Sequence, residues 1–143
     1  MTKCFLLVED SVLDETLILR CFRKVGVAEV DVVRDGQQAL DYLFCTGEFA
    51  HRNPDEAPVA VLLDINLPKV SGLEVLARLR ADPRTHLLPV VILTSSDEDR
   101  DRLRSYENGA NSFVNKPLNF AEFADTVARL GLYWIAINKP PIK

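Results

Sequence analysis

Val59-Ala60-Val61-Leu62-Leu63-Asp64-Ile65-Asn66-Leu67-Pro68 is the stretch on which the fold turns. Its first five residues are apolar without alternation, the pattern of a strand buried on both faces of a parallel sheet. Pro68 lacks a backbone donor, so the strand stops near Asp64. A carboxylate therefore stands where a buried strand meets solvent, which is where open parallel sheets bind ligands.

Four further apolar runs alternate with helical periodicity. Strands are expected at Lys3–Val8, Ala28–Val33, Pro89–Leu93 and Ser112–Asn115. Helices are expected over Val12–Val25, ended by Gly26, over Gly36–Thr46, over Gly72–Ala81, from Ser96 to about Asn108, and from the Asn119 cap to about Asn138. Gly47–Pro58 is polar, carries two prolines and reads as a loop. Strict strand–helix alternation predicts an α/β doubly wound sheet of five parallel strands with helices on both faces. The whole of 1–143 reads as one domain with an extended C-terminal helix over 119–138 and no output domain after it.

Composition excludes several function classes. The net charge of −4 gives no electrostatic reason for nucleic-acid binding. No apolar stretch is long enough to cross a bilayer, and Glu9-Asp10 interrupts the N-terminal run too early for an export signal. Cys4, Cys21 and Cys45 are odd in number and form no Cys-x-x-Cys, so they read as reduced packing residues of a cytoplasmic protein. His51 and His86 lie far apart in polar stretches and do not suggest a metal site.

The strand ends carry the chemistry. The first strand ends in Glu9-Asp10, the third in Asp64, the fourth in Thr94-Ser95 and the fifth in Lys116-Pro117. Any one of these, alone, is readily a cap or a loop polar group. Together, at equivalent ends of parallel strands, they make a site. Two carboxylates about 4 Å apart repel by roughly 4 kcal/mol at an effective dielectric near 20. Lys116 supplies one compensating charge, and a hard divalent cation with oxygen ligands, Mg²⁺, would supply more. A metal place, a nucleophilic carboxylate, a lysine and a hydroxyl are the parts for phosphoryl transfer to an aspartate.

With these residues in view, the chain resembles the response-regulator receiver domains of two-component signalling. The resemblance rests on Glu9-Asp10, on Leu62 to Gly72, on Leu93-Thr94-Ser95 and on Asn115-Lys116-Pro117. It implies a flavodoxin-like (βα)5 fold with strand order 2-1-3-4-5. It implies Asp64 as phosphoacceptor, Mg²⁺ held by Asp10, Asp64 and the Asn66 carbonyl with Glu9 acting through water, Thr94 as switch hydroxyl, Lys116 on the phosphoryl group, and Phe113 as switch aromatic. A cis Lys116-Pro117 bond is also implied. The expected partner is a sensor histidine kinase, and the expected behaviour is Mg²⁺-dependent self-phosphorylation and autodephosphorylation rather than turnover of an external substrate. The segment Gly47–Pro58 and the run Leu132-Tyr133-Trp134-Ile135 look like those of stand-alone regulators that serve bacterial phytochromes.

Phe120, Phe123, Val127, Leu130, Trp134 and Ile137 follow a heptad-like spacing. One stripe should face the sheet, and the remainder predicts a homodimer through the last helix and the face made by the fourth helix, fifth strand and fifth helix. A bend is expected at Gly131. Two other functions fit less well. A haloacid-dehalogenase-type phosphatase needs a second aspartate where Asn66 stands. A non-phosphorylated pseudo-receiver acting as an adaptor would not need the full set of Asp10, Asp64, Thr94 and Lys116.

Overall fold

The computed structural model describes residues 4–141. Five strands, β1 (Phe5–Val8), β2 (Val30–Val33), β3 (Ala60–Leu63), β4 (Val90–Thr94) and β5 (Ser112–Asn115), form one parallel sheet in the order β2-β1-β3-β4-β5. Five helices connect them: α1 (Val12–Lys24), α2 (Gly36–Phe44), α3 (Gly72–Ala81), α4 (Asp99–Glu107) and α5 (Phe120–Leu132). The doubly wound α/β architecture and its strand order agree with expectation.

Strand alternation divides the core in two. Leu6, Val8, Val61, Leu63, Val90 and Ile92 point to one face, where they meet Leu40 of α2 and Val75, Leu76 and Leu79 of α3. Phe5, Leu7, Leu62, Val91 and Leu93 point to the other, where Ile18 and Phe22 of α1 meet Phe123 and Val127 of α5. β1, β3 and β4 are buried throughout, which accounts for their unbroken apolar sequence. Register then fixes the site. Val8 pairs with Leu63 across β1 and β3, so Glu9 and Asp64 leave adjacent strands at the same level.

Side-chain caps start the helices nearest the site. The Ser11 hydroxyl accepts from Asp14 N–H at the start of α1, and Asn119 accepts from Ala121 and Glu122 at the start of α5. Two glycines admit the loop that follows Asp64. A Cβ on Gly72 would lie 2.1 Å from the Asp64 carbonyl oxygen, and one on Gly36 would lie 1.8 Å from that of Val70.

Several details differ from expectation. β1 begins at Phe5, and Lys3 lies outside the described residues. β2 begins at Val30 rather than Ala28. Gly47–Phe49 forms a turn of 3₁₀ helix within the expected loop, and Arg52 lies over the Tyr42 ring. Ser96 does not cap α4. That helix starts three residues later behind Glu98, while the Ser96 hydroxyl donates to Asp101 Oδ2 at 2.5 Å. The Lys116-Pro117 bond is trans, the isomer that X-Pro bonds favour by about 0.5–1 kcal/mol. The last helix is regular only to Leu132 and continues as a π-helical turn over Tyr133–Ile137. Gly131 marks a close approach, since a Cβ there would meet the Phe22 ring at 2.9 Å. The heptad-like stripe is also split: Phe123 and Val127 are buried, whereas Phe120 and Ile137 are exposed.

Candidate functional site

The carboxyl ends of β1, β3, β4 and the loop after β5 converge on Asp64, which is 6% exposed. Its two oxygens have different partners. Oδ1 accepts from the Thr94 hydroxyl at 3.0 Å and from the Asn66 backbone N–H at 3.1 Å. Oδ2 accepts from Lys116 Nζ at 2.9 Å. Thr94 is fully buried, and its own oxygen accepts from the Ser96 backbone N–H at 3.2 Å. All three donors to Asp64 therefore come from strand ends or the loops leaving them.

Lys116 is the electrostatic centre. Its ammonium donates to Glu9 Oε1 at 2.6 Å, to Asp14 Oδ2 at 2.9 Å and to Asp64 Oδ2 at 2.9 Å. Burial on its own would lower the lysine pKa. The hydrogen bonds to Glu9, Asp14 and Asp64 outweigh it and hold the ammonium above the ordinary lysine value. Glu9 is pushed above the usual carboxylate range, first by burial and also by the charge of Asp64, with Lys116 opposing.

One lysine does not neutralise this pocket. Glu9, Asp10 and Asp64 each offer an oxygen, and these atoms lie within 4.8 Å of one another. A cluster of carboxylate oxygens with negative charge in excess of its single ammonium suits a hard divalent cation. The residues present thus fit Mg²⁺. Glu9 is buried and Asp10 is exposed, so the cluster opens to solvent on the Asp10 side.

Of the residues singled out from sequence, Glu9, Asp10, Asp64, Thr94 and Lys116 come together here. Asn66 reaches Asp64 through its backbone N–H, and its side chain is exposed. Phe113 stands apart from this hydrogen-bonded group. It is half-buried on β5 opposite Ile92 and packs on the core beside α2 and α3. Sequence reasoning missed Asp14. The available signal was local: an acid in the first turn of α1, four residues after Asp10. Its contact with Lys116 spans 102 positions, which no periodicity discloses.

An acidic pocket at the carboxyl edge of a 2-1-3-4-5 sheet, with lysine and threonine bonded to one aspartate, defines the class as a CheY-like receiver. The chain belongs to the response regulator receiver domain family, whose model matches residues 5–128. Among similar proteins is the probable methanogenesis regulatory protein FilR2 of Methanothrix harundinacea, 40% identical and covering 95% of this chain and 86% of that protein. The response regulator Rcp1 of Synechocystis is 34% identical over 93% of this chain and 89% of its own length. The structure of Mn²⁺-bound Rcp1 superposes with a TM-score of 0.90 over 97% of this chain and 99% of that one. The phosphorylated cyanobacterial phytochrome response regulator RcpA is 35% identical, with a TM-score of 0.91 over 99% of both chains. The chain is thus a receiver-domain response regulator homologous to phytochrome-linked regulators. Among the described residues no helix is long and apolar enough to cross a membrane.

Proposed function

We propose that this chain, over 1–143, is a stand-alone cytoplasmic response regulator that accepts a phosphoryl group on Asp64 from a sensor histidine kinase of phytochrome type. The observation that carries the reading is the division of Asp64 between two donors, Thr94 on Oδ1 and Lys116 on Oδ2. An Asp64 oxygen attacks phosphorus in line, the P–N bond to the kinase imidazole breaks, and its electron pair returns to the ring. Lys116 directs one N–H at the acceptor before transfer and meets the negative charge of the incoming group. Asp10, Asp64 and the Asn66 carbonyl, with Glu9 acting through water, would hold Mg²⁺, whose positive charge would screen the approach of one anion to another. RcpA, crystallised phosphorylated, and Rcp1, crystallised with Mn²⁺, support this by likeness. The chain is a phosphoacceptor that self-phosphorylates from small donors and loses the group by hydrolysis.

The output reading is a two-state element. Thr94 trades its bond to Asp64 Oδ1 for one to a phosphoryl oxygen, and Phe113 repacks, altering the face of α4, β5 and α5. The exposed Phe120, Tyr133 and Ile137 support a homodimer through this region rather than contact with DNA.

The test is labelling by acetyl phosphate with Mg²⁺, then by candidate kinases. Wild type should be labelled and Asp64→Asn should not. Undiminished labelling of Asp64→Asn would remove the acceptor assignment. Absence of label on wild type would leave an adaptor of receiver fold.

A further inference from the structure

Lys116 has three N–H donors, and each is spent on a different carboxylate: Glu9, Asp14 and Asp64. Two of those acids, Glu9 and Asp64, also belong to the cluster able to hold a cation, and Asp14 does not. Asp14 is therefore the one leg of the tripod that a cation does not compete for. Its side chain is also the most solvent-exposed of the three, at 23% against 2% for that of Glu9 and 8% for that of Asp64.

A closed ring of hydrogen bonds sets where Asp14 stands. Glu9 Oε2 accepts from Ser11 N–H at 3.1 Å, Ser11 Oγ accepts from Asp14 N–H at 3.2 Å, Asp14 Oδ2 accepts from Lys116, and Lys116 donates back to Glu9 Oε1. The ring joins the end of β1, the first turn of α1 and the loop after β5. It thereby fixes the direction in which the third lysine N–H points, which is toward Asp64.

We infer that Asp14 is a positioning residue for phosphoryl transfer: it aims the Lys116 ammonium at the group on Asp64 and holds it there when a cation draws on Glu9. This rests on the reading of Asp64 as acceptor. On phosphorylation, the donor now on Asp64 Oδ2 passes to a phosphoryl oxygen. The bond to Asp14 anchors the swing, because a long flexible side chain must otherwise be ordered at the moment of reaction.

The test uses the full chain and three variants: Asp14→Ala, Asp14→Asn and Asp64→Asn. The first readout is the Lys116 Nζ signal by ¹H–¹⁵N NMR in the unphosphorylated protein with Mg²⁺. A held ammonium exchanges slowly and gives a signal, which should be lost in Asp14→Ala and regained in Asp14→Asn, whose amide oxygen still accepts. The second is labelling by acetyl phosphate. Asp14→Ala should fall about tenfold in maximal rate, Asp14→Asn should recover to within threefold, and the Mg²⁺ concentration for half-maximal rate should stay within twofold. Wild-type NMR and labelling in Asp14→Ala would overturn the inference. So would a rate loss matched by an equal rise in Mg²⁺ requirement, which would put Asp14 in the cation site. Failure of the acceptor reading is separate: Asp64→Asn would label like wild type, whatever the Lys116 signal shows.

Discussion

Two half-buried cations, Lys116 and Arg80, stand toward opposite ends of the sheet and are surrounded in opposite ways. Lys116, at the carboxyl end, is ringed by three carboxylates. Arg80, at the other end, pairs with no acid among the described residues. Its guanidinium donates to the carbonyls of Gly109 at 2.9 Å, Leu88 at 2.8 Å, His86 at 3.1 Å and Thr85 at 3.4 Å, and to Asn111 Oδ1 at 2.9 Å. Burial lowers the pKa of Arg80, whereas the carboxylates raise that of Lys116 against the same burial. The planar fork of Arg80 satisfies the loops between α3 and β4 and between α4 and β5, and that is a structural task. The ammonium of Lys116 sits among more negative charge than it can neutralise, which is unfavourable as architecture and is what the proposed cation and phosphoryl group would use. What separates the two is the formal charge of the acceptors.

Lys116→Met should have the largest effect. Labelling should fall at least about a hundredfold, as for loss of a donor aimed at developing charge, and stability should fall by about 3 kcal/mol because Glu9 and Asp64 stay buried without their cation. Acetyl-phosphate labelling and urea unfolding measure the two. Wild-type labelling in this variant would end the distinction drawn between the cations.

Arg80→Met comes next, and only in stability. Several carbonyls lose their donor, for about 3 kcal/mol in total after water replaces the outer ones, or roughly 10 °C in melting temperature. Its labelling rate, measured below the transition, should match wild type. A large drop there would show that the two ends of the sheet are coupled.

Mg²⁺ at about a hundred times its dissociation constant should stabilise wild type by about 2.7 kcal/mol. The shift should vanish in Asp10→Asn combined with Glu9→Gln and persist in Arg80→Met. Thermal melts with and without EDTA check this.

The smallest effect is in pH dependence. The folded pKa of Lys116 lies above its unfolded value, so its contribution is complete below the ordinary lysine pKa and is lost only as pH rises through the raised one. The stability gap between wild type and Lys116→Met should stay level from neutral pH to about 10 and close above it. Glu9 is also raised, so stability owed to its protonated form is present at low pH and falls away as pH rises through its folded value. Urea midpoints across pH check both signs.

Much of this was legible in the chain. Buried strands announce themselves as apolar runs, and a sheet of such strands must place their terminal polar residues side by side, so Asp64, Glu9, Asp10, Thr94 and Lys116 could be grouped before any coordinates. Asp14 could not, because it lies on a helix and reaches Lys116 only once α1 has docked. Arg80 was invisible for the same reason: in sequence it is one more basic residue in the last turn of a helix. Ser96 misled because a serine before acids has the composition of a cap, while its hydroxyl is taken by Asp101 in the first turn of α4. The end of α5 misled because apolar spacing persists through Tyr133–Ile137, although the backbone there has already widened into a π turn.

The pairing of Val8 with Leu63 has a kinetic corollary. Glu9 and Asp64 become neighbours only after two segments separated by most of the first half of the chain have zipped in correct alignment; a slip by one residue would turn Asp64 away from the pocket. If Mg²⁺ binds as proposed, it recognises only molecules that have finished assembling, so it should slow escape from the native state while leaving the pace of its formation unchanged.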